Sequence, residues 1–583
     1  MGAVSRFSIL DSNNLRLAAS GQRFDILVIG GGITGAGVAR DAALRGMKVL
    51  LLERGDVAQG TSSRSSRLIH GGLRYLEKGR LGLVHESVSE RWRMMRAAPH
   101  LARPLPFIFP TFRGEHPGLT TLRAGTFAYS LLSAFRTPGP RSTLSPAAVQ
   151  ERAPGLRRTG LTGAARYFDC STDDARLTLE VAIDAVEAGA IVLPGQLVTD
   201  LGRDGDGVSA EVRCSATGQT WHAAARMGVL ALGPWTDTLL SKASPAAPRW
   251  LRPTKGIHLV FHSRRLPISD AVVMRTPGDH RITFAIPWGT HAYVGTTDTD
   301  FPDPGIEPRV EAADAAYMLD TVNHYFPDLR VTPADIVSAW AGLRPLVAPE
   351  DEVAPGSPVN PSDVTREEKI ELFGDRFLAV AGGKLTTWRQ MAEDVTSRAA
   401  RVLERKHGFR FRPCCTVDRA LPGGALSCTP PSEQGPTPGS PPGPLAGSGQ
   451  PAQLEVLARL AASQPDLPDD WVTASVQRLG TRAARLFELA RDNRTLLEPL
   501  PGADPLRLAD VHFAITQEHA ASVEDFLVRR TQVFYKAEDQ GRAAAPVVAE
   551  VLAGLGAVSA DRTATLLADY LAELDSWKGR LGC

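Results

Sequence analysis

At 583 residues the chain exceeds what one hydrophobic core can serve, so about two to four domains are expected. A net charge of +1 and an ordinary globular composition leave no global field for nucleic acid. The six cysteines form no CxxC pair and no histidine cluster has zinc spacing, so no metal is expected, and the cysteine usage suits a reducing cytoplasm.

Residues 1–22 read as a loose leader. Arg6, Asp11 and Arg16 interrupt its apolar stretches, which argues against a signal peptide, and no run of about 18 uncharged apolar residues occurs to span a membrane. An apolar run from Phe24 to Ile29 leads into Gly30-Gly31-Gly32-Ile33-Thr34-Gly35. A helix-compatible segment over 36–45 follows, then a second apolar run from Lys48 to Leu52 that ends at Glu53. Strand, glycine turn, helix, strand and acid in this order form the dinucleotide-binding fingerprint. Gly30 permits the tight turn, Gly32 a close approach to pyrophosphate, and Gly35 close helix–strand packing. The helix N-terminus offers N–H groups and a positive dipole end to phosphates. Glu53, 23 residues after Gly30, can accept bonds from ribose hydroxyls. These features do not separate NAD from FAD. The hydroxyl-rich loop Gly60-Thr61-Ser62-Ser63-Arg64-Ser65-Ser66, close behind the acid, suits the longer diphosphate and ribityl chain of FAD.

Residues 91–158 hold eleven arginines, no lysine and two acids, a local charge of +9. Within them, 119–135 combines Leu122, Phe127, Tyr129, Leu131, Leu132 and Phe135 with Arg123. Two readings stay open: a solvated basic face over ordinary core, or an arginine-flanked amphipathic segment lying in an anionic membrane surface. A helix is expected over 174–188, with strands at 190–193, 208–214 and 228–232. Alternating antiparallel strands at 257–261, 282–286 and 292–294 would form a sheet over a substrate. An apolar strand returns at 377–381 and ends in Gly382-Gly383. Residues 429–451 hold eight prolines and five glycines and cannot build a core. Helical spacing follows, with Leu454, Leu457, Leu460 and Ala461 on one face.

The fold class read from this is α/β: an FAD-binding Rossmann-like domain with an interleaved antiparallel-sheet substrate domain, plus a C-terminal all-helical domain. The expected divisions are the leader at 1–22, the oxidoreductase region at 23–425, a Pro/Gly-rich linker at 426–452 and the helical domain at 453–583.

Beyond the fingerprint, a set of runs resembles the FAD-dependent (aerobic) glycerol-3-phosphate dehydrogenases. They are IGGGITGAGVARDAALRG (29–46), GTSSRSSRLIHGGLRYLE (60–77), ALGPWTD (231–237), KGIHLVF (255–261), GTTDTD (295–300), AGLRPL (341–346) and GGKLTTWR (382–389). The resemblance implies oxidation of sn-glycerol 3-phosphate to dihydroxyacetone phosphate by hydride transfer from C2 to FAD. It also implies electrons passed to a membrane quinone, in a cytoplasmic protein held peripherally on the inner face of the cell membrane. The segment 119–135 agrees with this, because quinone is dissolved in lipid. An oxidase using oxygen and a non-catalytic flavin-binding regulator are the alternatives. A homodimer is carried only as the general expectation for such proteins.

Holding a phosphate dianion needs fixed cations, and the planar fork of arginine suits it. Arg344, stiffened by Pro345, resembles a substrate-site residue of the family. So do Arg74 and Tyr75 behind one Gly-Gly pair, and Lys384 behind another. The base for the C2 hydroxyl is expected to be His258, which alternates with Ile257 and Leu259, with His70 as second choice. Gly30, Gly31, Gly32, Thr34 and Gly35 would hold the pyrophosphate, and Glu53, with Arg54 beside it, the adenosine ribose. Thr61, Ser62 and Ser66 would lie along the pyrophosphate and ribityl path, and Gly233 and Trp235 near the adenine half. Gly383, Leu385 and Thr386 resemble the segment whose backbone approaches the pyrimidine edge of the flavin. Asp298 is open between a structural turn carboxylate and a catalytic one. Trp388 departs from the family, which usually carries Tyr there, and this puts a role for a phenolic oxygen in question.

Overall fold

The computed structural model describes residues 18–19, 21–72, 79–133, 136–348, 367–425 and 450–580. Arg74, Tyr75, Phe135, nearly all of the expected leader and linker residues 426–449 lie outside the described residues.

The first strand, Arg23–Ile29, is buried throughout from Phe24 onward, as a central parallel strand with both faces covered must be. It pairs in parallel with Val49–Leu52 on one side and Thr220–Leu230 on the other. Ile191–Leu193 and Phe377–Ala381 extend the parallel order outward. The hairpin Gln196–Asp204/Gly207–Cys214 and the strand Lys369–Phe373 complete eight strands. The helix Ile33–Leu44 packs between the helices Asp174–Glu187 and Trp388–His407. Its approach to the sheet depends on two missing side chains. A Cβ on Gly30, whose φ is +110°, would stand 2.4 Å from the Ala231 carbonyl oxygen, and one on Gly35 would stand 1.9 Å from the Gly30 carbonyl oxygen.

The second sheet has ten strands. The three expected alternating strands are the inner parts of Leu251–His262, Ile282–Trp288 and His291–Gly295. Leu251–His262 is flanked by His291–Gly295 and Ile336–Val347, both antiparallel. One join departs from the antiparallel expectation: Ala271–Arg275 runs parallel to Arg103–Phe112, an arrangement that only a long crossover allows.

From Asp469 to Arg580 the chain is helical, with helices Asp469–Leu479, Ala483–Asp492, Leu508–Glu518, Ala545–Gly554 and Ala560–Arg580 and a π-helical turn at Asp525–Arg530. Trp471, Leu486, Phe487 and Phe513 build one core there; Val511, Val548, Leu552, Tyr570 and Leu574 build another. Leu457 and Leu460 are buried as expected, but Leu454 is 46% exposed. It lies about 120° around the helix from Leu460 and so falls off the covered stripe.

Burial makes stability pH-dependent. Burial, aided by Arg103, pushes His100 down to about 3, and burial pushes His519 down to about 4. Burial alone would raise Asp56 and Glu518, but Arg530 and Arg529 hold Asp56 down to about 2, and Arg176 and Arg482 do the same for Glu518. Below pH ~6.5 the unfolded chain takes up histidine protons that the native state refuses. Each such histidine should therefore cost up to about 1.4 kcal/mol per pH unit as pH falls. The two carboxylates lose their contribution only below pH ~4. Denaturant midpoints measured from pH 7.5 to 4 should decline from about pH 6.5; a constant midpoint down to pH ~4.5 would contradict the assignment of these histidines as buried and neutral.

Candidate active site

At the carboxyl ends of the parallel strands, where open α/β sheets bind ligands, lies a cavity of about 340 Å³. Gly30, Gly32 and Thr34 line it from the glycine turn, and Glu53 and Arg54 from the end of the second strand. Thr61 and Ser62 come from the hydroxyl-rich loop, Gly233 and Trp235 from the turn after Leu230, and Gly383, Lys384 and Leu385 from the turn after Ala381. The Arg54 guanidinium sits 4.2 Å from the Trp235 ring centroid.

Four expected cofactor residues stand behind this wall. Gly31 donates its N–H to Glu53 Oε2 at 2.6 Å, and Gly35 packs on the Gly30 carbonyl. Thr386 Oγ1 accepts the His70 N–H at 3.1 Å and donates to the His70 carbonyl at 3.1 Å. The Ser66 hydroxyl lies 2.9 Å from His258 Nε2.

These residues fit FAD. The N-cap of the helix Ile33–Leu44 is Gly32, which offers no side-chain cap, and the first turn holds no acid, so this helix end, which borders the cavity through Gly32, Ile33 and Thr34, favours an anion. Ser62 Oγ accepts the Ile33 N–H at 2.9 Å. Glu53 Oε1 accepts the Gly55 N–H at 2.9 Å; burial raises the pKa of this carboxyl, and the two amides oppose the rise.

A second group rises from one face of the ten-stranded sheet. Register places His258 opposite both Trp340 and Gly295, and Gly256 opposite Gly342. Glycines at these points leave room: a Cβ on Gly295 would meet the His258 ring at 2.2 Å, and one on Gly256 would meet the Arg344 guanidinium at 2.4 Å. The His258 ring stacks on Trp340 with centroids 4.6 Å apart, and its Nδ1 has no hydrogen-bond partner among the described residues. Burial, then Arg344, then Arg67 hold its pKa well below the ordinary histidine value, so the ring is neutral at pH 7.

Arg344 donates to Asp298 Oδ1 at 3.0 Å and to Thr296 Oγ1 at 2.9 Å. Arg281 reaches the other Asp298 oxygen at 2.6 Å. Asp298 is thus a buried carboxylate held between two guanidiniums. The two arginines and one carboxylate carry a net positive charge. The sheet face and the cofactor cavity adjoin: Pro345 lines the cavity, Thr61 Oγ1 donates to the Leu343 carbonyl at 2.7 Å, and Ser65, next to Ser66, also lines it.

Arg281, Trp340 and Arg67 were not found from the sequence. Arg67 lies within 5.0 Å of the ring centroids of Trp288, Trp340 and Tyr535. No local pattern links these positions; only strand register and domain docking bring them together. Trp388 is buried against Gly37, in the core beneath the nucleotide-binding helix. Among the described residues no cluster of metal ligands occurs, and no helix is long and apolar enough to cross a membrane.

The fold and the cavity are those of an FAD-dependent oxidoreductase, and the sequence model of that family matches residues 25–366. A second model, the C-terminal domain of alpha-glycerophosphate oxidase, matches 414–563. The aerobic glycerol-3-phosphate dehydrogenase of Staphylococcus saprophyticus is 32% identical over 553 residues, 94% of each chain. That of Staphylococcus aureus is 34% identical over 516 residues, 88% of this chain and 87% of the other. The FAD complex of glycerol-3-phosphate dehydrogenase from Bacillus halodurans superposes with a TM-score of 0.78 at 28% identity, covering 98% of both chains. L-alpha-glycerophosphate oxidase from Mycoplasma pneumoniae shares the fold, with a TM-score of 0.50 at 17% identity over 69% of this chain and 99% of the other. The chain belongs to the FAD-dependent aerobic glycerol-3-phosphate dehydrogenase family.

Proposed function

We propose that the chain oxidises sn-glycerol 3-phosphate to dihydroxyacetone phosphate and passes the electrons to a quinone at a membrane surface. One observation carries the chemistry: a braced arginine and a neutral histidine share a glycine-floored sheet face that adjoins the cofactor cavity. Bound FAD supplies the hydride acceptor for C2.

The chain's residues do the rest. Arg344, aimed by Asp298 and Thr296, meets the phosphate dianion with a preset fork. His258 Nε2 takes the C2 hydroxyl proton, either in the place of Ser66 or through its hydroxyl. Trp340 fixes the plane of the imidazole. The two sites are coupled. Burial is the largest cause of the low His258 pKa and Arg344 the next, so a dianion on Arg344 offsets that repulsion and makes the histidine more basic as substrate arrives. Lys384, on the cavity wall, adds a further cation.

Anaerobic addition of glycerol 3-phosphate should bleach the flavin absorbance. A flavin that stays oxidised would remove the dehydrogenase reading. Quinone reduction without stoichiometric peroxide separates the quinone acceptor from the oxidase alternative.

The membrane reading rests on the helix Leu119–Leu132. It buries Leu122, Thr126, Tyr129 and Ser130 and turns Phe127 (47% exposed) and Leu131 (57% exposed) outward beside Arg123. Close to its end is a cavity of about 400 Å³ lined by Trp92, Arg93, Arg96 and Arg136, suited to an anionic headgroup. Burying two half-exposed side chains is worth about 2–3 kcal/mol together. Phe127→Ser with Leu131→Ser should therefore weaken binding to phosphatidylglycerol vesicles by about 10-fold or more, leaving turnover with a water-soluble acceptor unchanged. Unaltered vesicle binding would return this helix to the solvated-face reading.

A further inference from the structure

The loop that lines the cofactor cavity between Glu53 and Ser66 is gripped at both ends by residues far along the chain. Its inner side belongs to the cavity, through Glu53, Arg54, Gln59 and Thr61. The loop is closed on itself by two bonds, Asp56 N–H to Gln59 Oε1 and Gln59 N–H to the Asp56 carbonyl, each 3.1 Å. The Asp56 carboxylate points the other way. It receives Arg529 Nε at 2.6 Å and a two-pronged contact from Arg530 at 2.7 and 2.8 Å. All three side chains are no more than 4% exposed.

Arg529 and Arg530 sit on the π-helical turn of the C-terminal domain. Arg530 also donates to the Glu518 carbonyl at 2.8 Å, and the Glu518 carboxylate is held by Arg176 and by Arg482, the latter at 2.9 Å. At the loop's far end, Tyr535 of the same domain lies under Arg67, 4.7 Å from its ring centroid, while Trp340 Nε1 donates to the Ser65 carbonyl at 3.2 Å. None of Glu518, Arg529, Arg530 and Tyr535 lines the cofactor cavity.

We propose that Arg529 and Arg530 are positioning residues for FAD: through Asp56 they preset the ribose-side loop, so that cofactor affinity is partly stored in the C-terminal domain. A loop already ordered before binding has no ordering cost left to meet, whereas a released loop must be ordered by the cofactor and lowers the apparent affinity by its folded fraction. This needs FAD in the cavity and is independent of the electron acceptor.

The test is titration of apoprotein with FAD, read by quenching of flavin fluorescence. Asp56→Asn keeps the shape and removes the charge, and should raise the FAD Kd about 10-fold or more. At saturating FAD the KM for glycerol 3-phosphate should stay within about 2-fold, because the substrate face is untouched. Arg530→Lys, which keeps the buried charge, should show a smaller rise in the same direction. Arg482→Gln breaks pairs with Glu180 and Glu518 in the same interface without touching the loop; it should lower the Tm and leave the FAD Kd unchanged. An Asp56→Asn Kd within about 2-fold of wild type, or an equal rise in Arg482→Gln, overturns the proposal. Should Asp56→Asn yield no folded apoprotein, an unchanged Kd in Arg530→Lys overturns it alone.

Discussion

Replacing Arg344 by alanine is expected to lower kcat/KM for glycerol 3-phosphate about 10²–10³-fold, mostly through KM, since losing a partly buried charge-assisted contact costs about 2–5 kcal/mol. Flavin content should be unchanged, because Arg344 reaches Asp298 and Thr296 rather than the cavity wall. Lysine should not rescue: it keeps the charge but cannot span Asp298, Thr296 and a phosphate at once. Inorganic phosphate should compete with substrate in the wild type and far less in the variant. A KM within about 3-fold of wild type would show that the phosphate is held elsewhere, with Arg281 and Lys384 the next candidates.

His258→Ala is expected to cut kcat about 10²–10⁴-fold while flavin and substrate still bind, the range for removal of a positioned base. The pH profile supplies an independent check. Burial, Arg344 and Arg67 depress the His258 pKa, so the ring is unprotonated and competent throughout the neutral range. Wild-type kcat/KM should stay level from pH ~8 down to ~6 and fall only at lower pH, where the imidazole takes up a proton and can no longer accept one. Arg344→Gln removes one source of the depression and should move that acid limb upward. A variant lacking His258 that turns over at the wild-type rate would transfer the role to another group. His70 would be the first to examine, because Thr386 fixes its backbone.

The nucleotide half of the site was legible because its signals are local. Turn, helix and acid fall within 30 residues, and the conformation of Gly30 and the packing of Gly35 are properties of that stretch itself. His258 and Arg344 were each readable from their own runs. Their meeting was not, because it depends on the register of Leu251–His262 against Ile336–Val347 and on glycines at 256 and 295 that clear the floor between them. Arg281 carried no signal of its own: it immediately precedes the expected strand at 282–286, and its partner Asp298 lies just past the end of the neighbouring strand, His291–Gly295. The same holds for Asp56 and Arg530, which are joined by a bond spanning 474 positions. Periodicity reports which face of an element is buried, and it carries no information about which distant element covers it.

The central strand Arg23–Ile29 has Thr220–Leu230 as a neighbour, and Phe377–Ala381 lies one place beyond. During synthesis at about 5–20 residues per second, the first strand therefore leaves the ribosome about 10–40 s before the chain that must lie beside it. For that interval its apolar edge is bare, a long-range parallel pairing of the kind that folds slowly and aggregates when left exposed. The cavity wall is incomplete until residue 391 has emerged, since Lys384, Leu385 and Met391 also line it, and the brace at Arg529 and Arg530 arrives later still. Flavin supply and chaperone protection late in translation, more than the strength of the finished core, should then set how much active protein a cell recovers.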